Sequence, residues 1–170
     1  MITRALLLGI WLATLSCAAS AAGASSKDVF ERLKTLSGDW HSTTRGGATT
    51  VNYRTIANGS SVVETWTMSP TRQSMTVYTM DGERLLATHY CPQGNAPRLQ
   101  LVATDAGGAH RFAFLDGANL QNPSGSHEHA FWLRFDASGT LTRSETYIRN
   151  DASYDPARDT GGEESFARSK

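Results

Sequence analysis

The chain is predicted to be all-β, an up-and-down antiparallel barrel of about nine or ten strands with one short N-terminal helix. Three observations predict it. From Trp40 onward, apolar and polar residues alternate with period 2 in one run after another. Nearly every gap between runs carries a tight-turn pair: Gly46-Gly47, Asn58-Gly59, Asp81-Gly82, Gly107-Gly108 and Ser138-Gly139. Helical spacing occurs in only one stretch, just before Gly38. So many strands with a single helix to cover them leave long edges exposed, and closure into a barrel removes those edges. A sandwich is the alternative, but it uses long crossovers, and only 116–128 and 151–162 are long enough to supply one.

The N-terminus has the form of an export signal. Arg4 is the basic flank, Ala5 to Leu15 an apolar run, and Ala19-Ser20-Ala21 a small-x-small cleavage site, so 1–21 is assigned to a signal peptide and 22–26 to a short leader into the domain. The mature protein is expected to be exported, either periplasmic or secreted. Lipid attachment at Cys17 is the lesser alternative, because Thr14 occupies the position where a lipobox wants Leu. No later run approaches the roughly 20 apolar residues of a membrane helix. Residues 27–170 then form a single domain, of which 151–170 is either partly disordered or contributes a last strand.

The helix follows Ser25-Ser26-Lys27-Asp28, where Ser or Asp can cap, and Val29, Phe30, Leu33 and Leu36 make one apolar face. Strands are expected at 40–45, 49–56, 61–68, 74–80, 84–90, 98–104, 111–115, 129–135 and 141–149, with 164–168 a tenth candidate. One inward face runs through Val51 and Tyr53; Val62, Glu64 and Trp66; Met75 and Val77; Leu85, Ala87 and His89; Leu99 and Leu101; Phe112 and Phe114; and Phe131, Leu133 and Phe135. The helix would close one mouth.

Formal charge is zero, 16 basic residues against 16 acidic ones, all interspersed. With no basic stripe, nucleic acid is excluded as a partner class. Signal cleavage removes Cys17 and leaves Cys91 alone, which excludes an intramolecular disulfide framework. A lone exported thiol is either packed in the interior or reactive, and packing is the preferred reading.

Chemistry concentrates in Thr88-His89-Tyr90-Cys91-Pro92-Gln93-Gly94-Asn95-Ala96-Pro97-Arg98, a strand end followed by a turn. Gly38-Asp39-Trp40 after a short helix looks like the Gly-x-Trp signature of lipocalins and the wider calycin group. More specifically, the Thr-His-Tyr-Cys-x-x-Gly-Asn-x-Pro-Arg run resembles a family of exported bacterial lipocalin-like proteins of uncharacterised function. The resemblance extends from Phe30 to Tyr147 and includes Phe114-Leu115-Asp116-Gly117-Ala118-Asn119-Leu120 and the histidines at 127–129. It implies a barrel and ligand binding, and no particular chemistry. The architecture and its inward apolar face lead to the reading of a binding protein for a small, mainly apolar ligand held in the barrel cavity, with no cofactor required. Kinship to haem-binding nitrobindin-like barrels is analogy of fold alone.

The candidate ligand-binding residues are Trp40, Tyr53, Glu64, Trp66, His89, Asn95 and Arg98. Trp40, Trp66 and the 89–98 turn are placed around the mouth, with Asn95 and Arg98 as the polar contacts. An inward Glu64 beside an inward arginine, from Arg98, Arg134 or Arg143, would anchor a ligand at the cavity base. An alternative function is transition-metal (zinc or copper) or haem binding through His89 with Cys91 and His127 with His129, each pair two apart on extended backbone. It ranks below the plain reading, in which His127 and Glu128 are solvated, His129 is partly buried and Cys91 is packed. Catalysis ranks last. A Cys91–histidine pair has no helix N-terminus or orienting carboxylate behind it, no Gly-x-Ser-x-Gly element occurs, and Glu64 with Glu145 is the one carboxylate pair to consider.

Overall fold

The structure is a computed structural model that describes residues 24–44, 48–136 and 139–169. The assigned signal peptide, Cys17 and the 46–47 turn lie outside the described residues. Helix α1, Ser26–Lys34, starts on a reciprocal cap: the Ser25 hydroxyl accepts from the Asp28 amide, and the Asp28 carboxylate accepts from the Ser25 amide. Its apolar face, Val29, Phe30 and Leu33, is buried, each side chain stabilising by about 1.5–3 kcal/mol.

Ten strands follow: β1 Gly38–Ser42, β2 Thr50–Ile56, β3 Ser61–Ser69, β4 Arg72–Asp81, β5 Arg84–Tyr90, β6 Ala96–Thr104, β7 His110–Ala118, β8 Ser126–Phe135, β9 Leu141–Arg149 and β10 Glu163–Arg168. Each pairs antiparallel with the next, and β1 pairs with β10, so the sheet closes as a barrel. Closure turns on the last strand, where Trp40 lies opposite Arg168 and Ser42 opposite Phe166. Among the described residues no helix is long and apolar enough to cross a membrane.

Helix α1 packs at the end of the barrel where β5 begins and β6 ends, and its apolar face joins Leu85, Leu101 and Leu133 in one core. Trp40 belongs to this closed end, not to the mouth. Its indole N–H donates to the Leu36 carbonyl at 2.8 Å, and the Arg168 guanidinium lies 4.5 Å from the ring centroid. Arg168 also donates to the carbonyls of Ser37 at 2.6 Å and Thr35 at 3.0 Å, so the last strand pins the helix end. Gly38 makes the corner at φ +119, a conformation that disfavours any residue with a Cβ.

The inward face differs from the expected one in two strands. On β4 it is Thr76 and Tyr78, both fully buried, rather than Met75 and Val77, because Thr76 pairs with Glu64 and Tyr78 with Val62. Choosing the more apolar parity fails there because the interior is polar at that level and takes hydroxyls. On β8 the register to β9 shifts between Glu128 and Ala130, so one extra residue, His129, occupies a bulge. Phe131 and Leu133 stay inward as expected, but on the other side of the bulge Glu128 takes the inward position. The expected long connection at 116–128 shrinks, since β7 runs to Ala118 and β8 starts at Ser126.

Candidate functional site

The middle of the barrel is occupied by charge. Alternation on β9 brings Arg143, Glu145 and Tyr147 to the inner wall, opposite Glu64 and Trp66 of β3, Tyr78 of β4, His89 of β5 and Glu128 of β8. Arg143 is 1% exposed, and each of its nitrogens holds a carboxylate. Nη1 lies 2.8 and 3.0 Å from the two oxygens of Glu64, Nη2 is 3.0 Å from Glu128 Oε1, and Nε is 2.9 Å from Glu145 Oε1. The Tyr78 hydroxyl donates to Glu64 Oε2 at 2.5 Å, and the Trp66 indole N–H donates to Glu64 Oε1. The guanidinium also lies 4.2 Å from the Phe131 ring centroid and 5.4 Å from that of Trp66.

Three carboxylates thus surround one guanidinium in the barrel interior. Burial pushes Glu128 up to about 7, opposed by Arg143 and reinforced by Glu64. Glu145 also rises to about 7, through burial first, against Arg143 and with Glu128. A quarter of its side chain is exposed, so water moderates that rise more than at Glu128. His89 moves the other way, to about 4, because burial disfavours the imidazolium; it is neutral at ordinary pH. Both its nitrogens are engaged, Nδ1 with the Thr76 hydroxyl at 3.0 Å and Nε2 with the Tyr147 hydroxyl at 3.2 Å. Glu128 Oε2 has no hydrogen-bond partner among the described residues, and His89 Nδ1 stands 3.6 Å from it.

Above this cluster the barrel opens into a cavity of about 920 Å³ at the end away from α1. Arg143, Glu145 and Tyr147 form part of its lining with Trp66, Cys91 and Glu164, and Arg72, the first residue of β4, stands exposed at the rim. The turn after β5 folds back over this end: the Cys91 amide bonds the Asn95 carbonyl at 3.0 Å, and Gln93 accepts from the Ser126 hydroxyl at 2.9 Å. Burial raises the Cys91 thiol above its ordinary value, which disfavours the thiolate.

Of the residues singled out from sequence, Tyr53, Glu64, Trp66 and His89 meet in the interior. Tyr53 is 1% exposed with its phenol held well up by burial and by the Glu64 charge. The inward arginine beside Glu64 is Arg143. Trp40 does not reach the mouth, for it is buried at the closed end. Asn95 braces the turn instead of facing the cavity, its amide donating to the Ser126 carbonyl at 2.7 Å. Arg98 is exposed, its Nε donating to Asp116 at 2.7 Å, and belongs to the outer face of β6.

The four metal-type ligands do not gather. His89 and Cys91 share the cavity side, but the β8 bulge carries His127 and His129 away from the interior charges. His127 bonds Asn150 at 2.8 Å and His129 at 3.0 Å, and both histidines pack on Phe114, with Tyr154 against His129. No group of three or more His, Cys, Asp or Glu side chains among the described residues is placed to hold a metal ion. Glu128 and Tyr78 were missed from sequence. Tyr78 alternates with Thr76 and Met80 and was readable as a face of its own; Glu128 was concealed by a bulge that leaves no mark in composition.

The fold and site together define a closed ten-stranded antiparallel barrel with a buried Glu–Arg–Tyr network beneath an open cavity. Compared with known proteins, the chain matches no family model and no curated sequence.

Proposed function

We propose that the protein is an exported, lipocalin-like carrier that binds a small molecule in the barrel cavity, polar end toward Arg143 and Glu145. The observation that carries this reading is the cavity of about 920 Å³, open at one end and floored by a charge network in which Arg143, Glu64 and Glu128 are buried and Glu145 is partly open to the cavity. Ligand pockets combine apolar wall with a few fixed polar groups, and here Met68, Trp66 and Pro92 supply the wall while Arg143, Glu145 and Tyr147 supply the groups. The ligand is therefore amphipathic, an apolar body with a polar head, more polar than sequence alone led one to expect. The network is already hydrogen-bonded without a ligand, so ordering costs on binding are small.

Native mass spectrometry of protein isolated from its own cells tests the reading, with Trp66 fluorescence as the second readout. A retained mass that dissociates on unfolding, and a fluorescence response to amphipathic compounds lost in Trp66→Phe, are expected. Protein that is always ligand-free, with a response unchanged by Trp66→Phe, would refute the cavity as a binding site.

A further inference from the structure

Charge at the cavity floor narrows what kind of polar head it accepts. An incoming carboxylate or phosphate would need a cation, and each nitrogen of Arg143 is already within 3.0 Å of a Glu64, Glu128 or Glu145 oxygen. The anion would become the fourth around one guanidinium. Glu164 of β10 adds a further carboxylate to the lining, and the second cation, Arg72, stands out at the rim.

We propose that the ligand head is a cationic nitrogen, an ammonium or amidinium group, received by Glu145 at the cavity floor with the rings of Trp66 and Tyr147 beside it. This inference rests on the cavity reading and names its ligand class. Glu145 is the carboxylate of the network that is open to the cavity, with a quarter of its side chain exposed. Behind it, outside the lining, Glu128 is fully buried and its Oε2 has no hydrogen-bond partner among the described residues, so the carboxyl groups behind the floor already exceed what Arg143 satisfies. Aromatic faces stabilise a desolvated cation further.

The charged neighbours set the pH behaviour. Toward Glu145 face Arg143 and Tyr147 from its own strand, Glu64 from β3, Glu128 from β8, and neutral His89 with protonated Cys91 from the β5 side; Arg72 and Glu164 complete the lining. With no ligand, burial and the Glu128 charge favour a proton on Glu145 near neutrality. A bound cation takes that proton's place and the proton leaves to solvent, so binding tightens as pH rises through about 7.

Three probes of equal chain length decide it: octylammonium, octanol and octanoate, followed by calorimetry in buffers of different ionisation enthalpy. At pH 8 octylammonium should bind at least about tenfold tighter than octanoate, with proton release near pH 7 and a preference that shrinks below pH 6. Glu145→Gln should collapse the ratio of octylammonium to octanol affinity toward one and abolish the proton release, its circular dichroism showing that it is folded. Arg72→Gln, at the exposed rim, should tighten octylammonium, loosen octanoate and leave octanol unchanged, and provides a test that does not touch the network. Octanoate or octanol binding best, or an ammonium preference surviving Glu145→Gln, overturns the cationic head and leaves the cavity reading standing. No binding by any of the three overturns both.

Discussion

At the scale of single residues, the interior is stabilised by geometry that leaves little margin. A buried guanidinium is tolerable only while its carboxylates hold it, and removing one partner of such a pair costs on the order of 3–5 kcal/mol. The same crowding makes stability depend on pH. Glu128 has a folded pKa of about 7 against an ordinary value of 4.5, so between those values the folded chain holds a proton that the unfolded chain has released. Its contribution therefore falls as pH rises from about 4.5 to 7 and is flat above. His89, depressed to about 4 from 6.5, works in the opposite sense and rises with pH over that window, as do the lowered His110 and His129. Those opposing groups are common to parent and variant. Glu128→Gln, which retains an oxygen for Arg143 Nη2, should gain on the parent by up to about 3 kcal/mol between pH 5 and 8 in urea unfolding. A stability difference independent of pH would show that Glu128 is ionised throughout.

At the scale of elements, strand β8 decides what the barrel contains. Its alternation reads plainly from Phe131 to Phe135, and continuing that period backward puts His129 and His127 inside. One additional residue at the bulge reverses the outcome, placing Glu128 against Arg143 and the histidines beside Asn150 and Tyr154. Side-chain parity is absolute within a strand but is reset wherever the ladder skips, and nothing in residue type announces the skip. Deleting His129 leaves an unbroken period of two in which Glu128, Phe131 and Leu133 still share the inward face, since Glu128 and Ala130 already pair with the consecutive residues Tyr147 and Thr146. Deletion and His129→Ala should therefore both keep Glu128 on Arg143 and cost no more than about 1–2 kcal/mol each. A loss of about 3–5 kcal/mol or failure to fold for the deletion alone, by denaturant midpoint, would mean that the bulge geometry itself, and not strand parity, holds Glu128 in place.

At the scale of the whole molecule, the barrel depends on its last strand, which was readable as a strand but not as the seam. β10 closes the sheet against β1, and Arg168 then couples that closure to the helix through Trp40 and the carbonyls of Thr35 and Ser37. Arg168→Ala should lose about 1–3 kcal/mol and speed hydrogen exchange in α1 and β1 ahead of the rest. Arg168→Lys should recover little, since a point charge cannot stack on the indole while reaching two carbonyls. Exchange accelerated uniformly around the barrel would contradict a local seam.

Determined by the sequence itself were the helix with its cap, the ten strands, seven of them to within two residues at either end, the antiparallel order and the inward set of Tyr53, Glu64, Trp66 and His89. These follow from near-neighbour patterning: turn residues fix connectivity, and period-2 burial fixes faces. Only the tertiary structure decided that Arg143 is the inward arginine, that Glu128 and Glu145 complete its shell, that Arg98 turns outward to Asp116, and that His127 and His129 stand apart from His89 and Cys91. Each of those depends on which strands meet across the barrel and where a ladder slips by one residue, distances set by closure and not by any local run of residues.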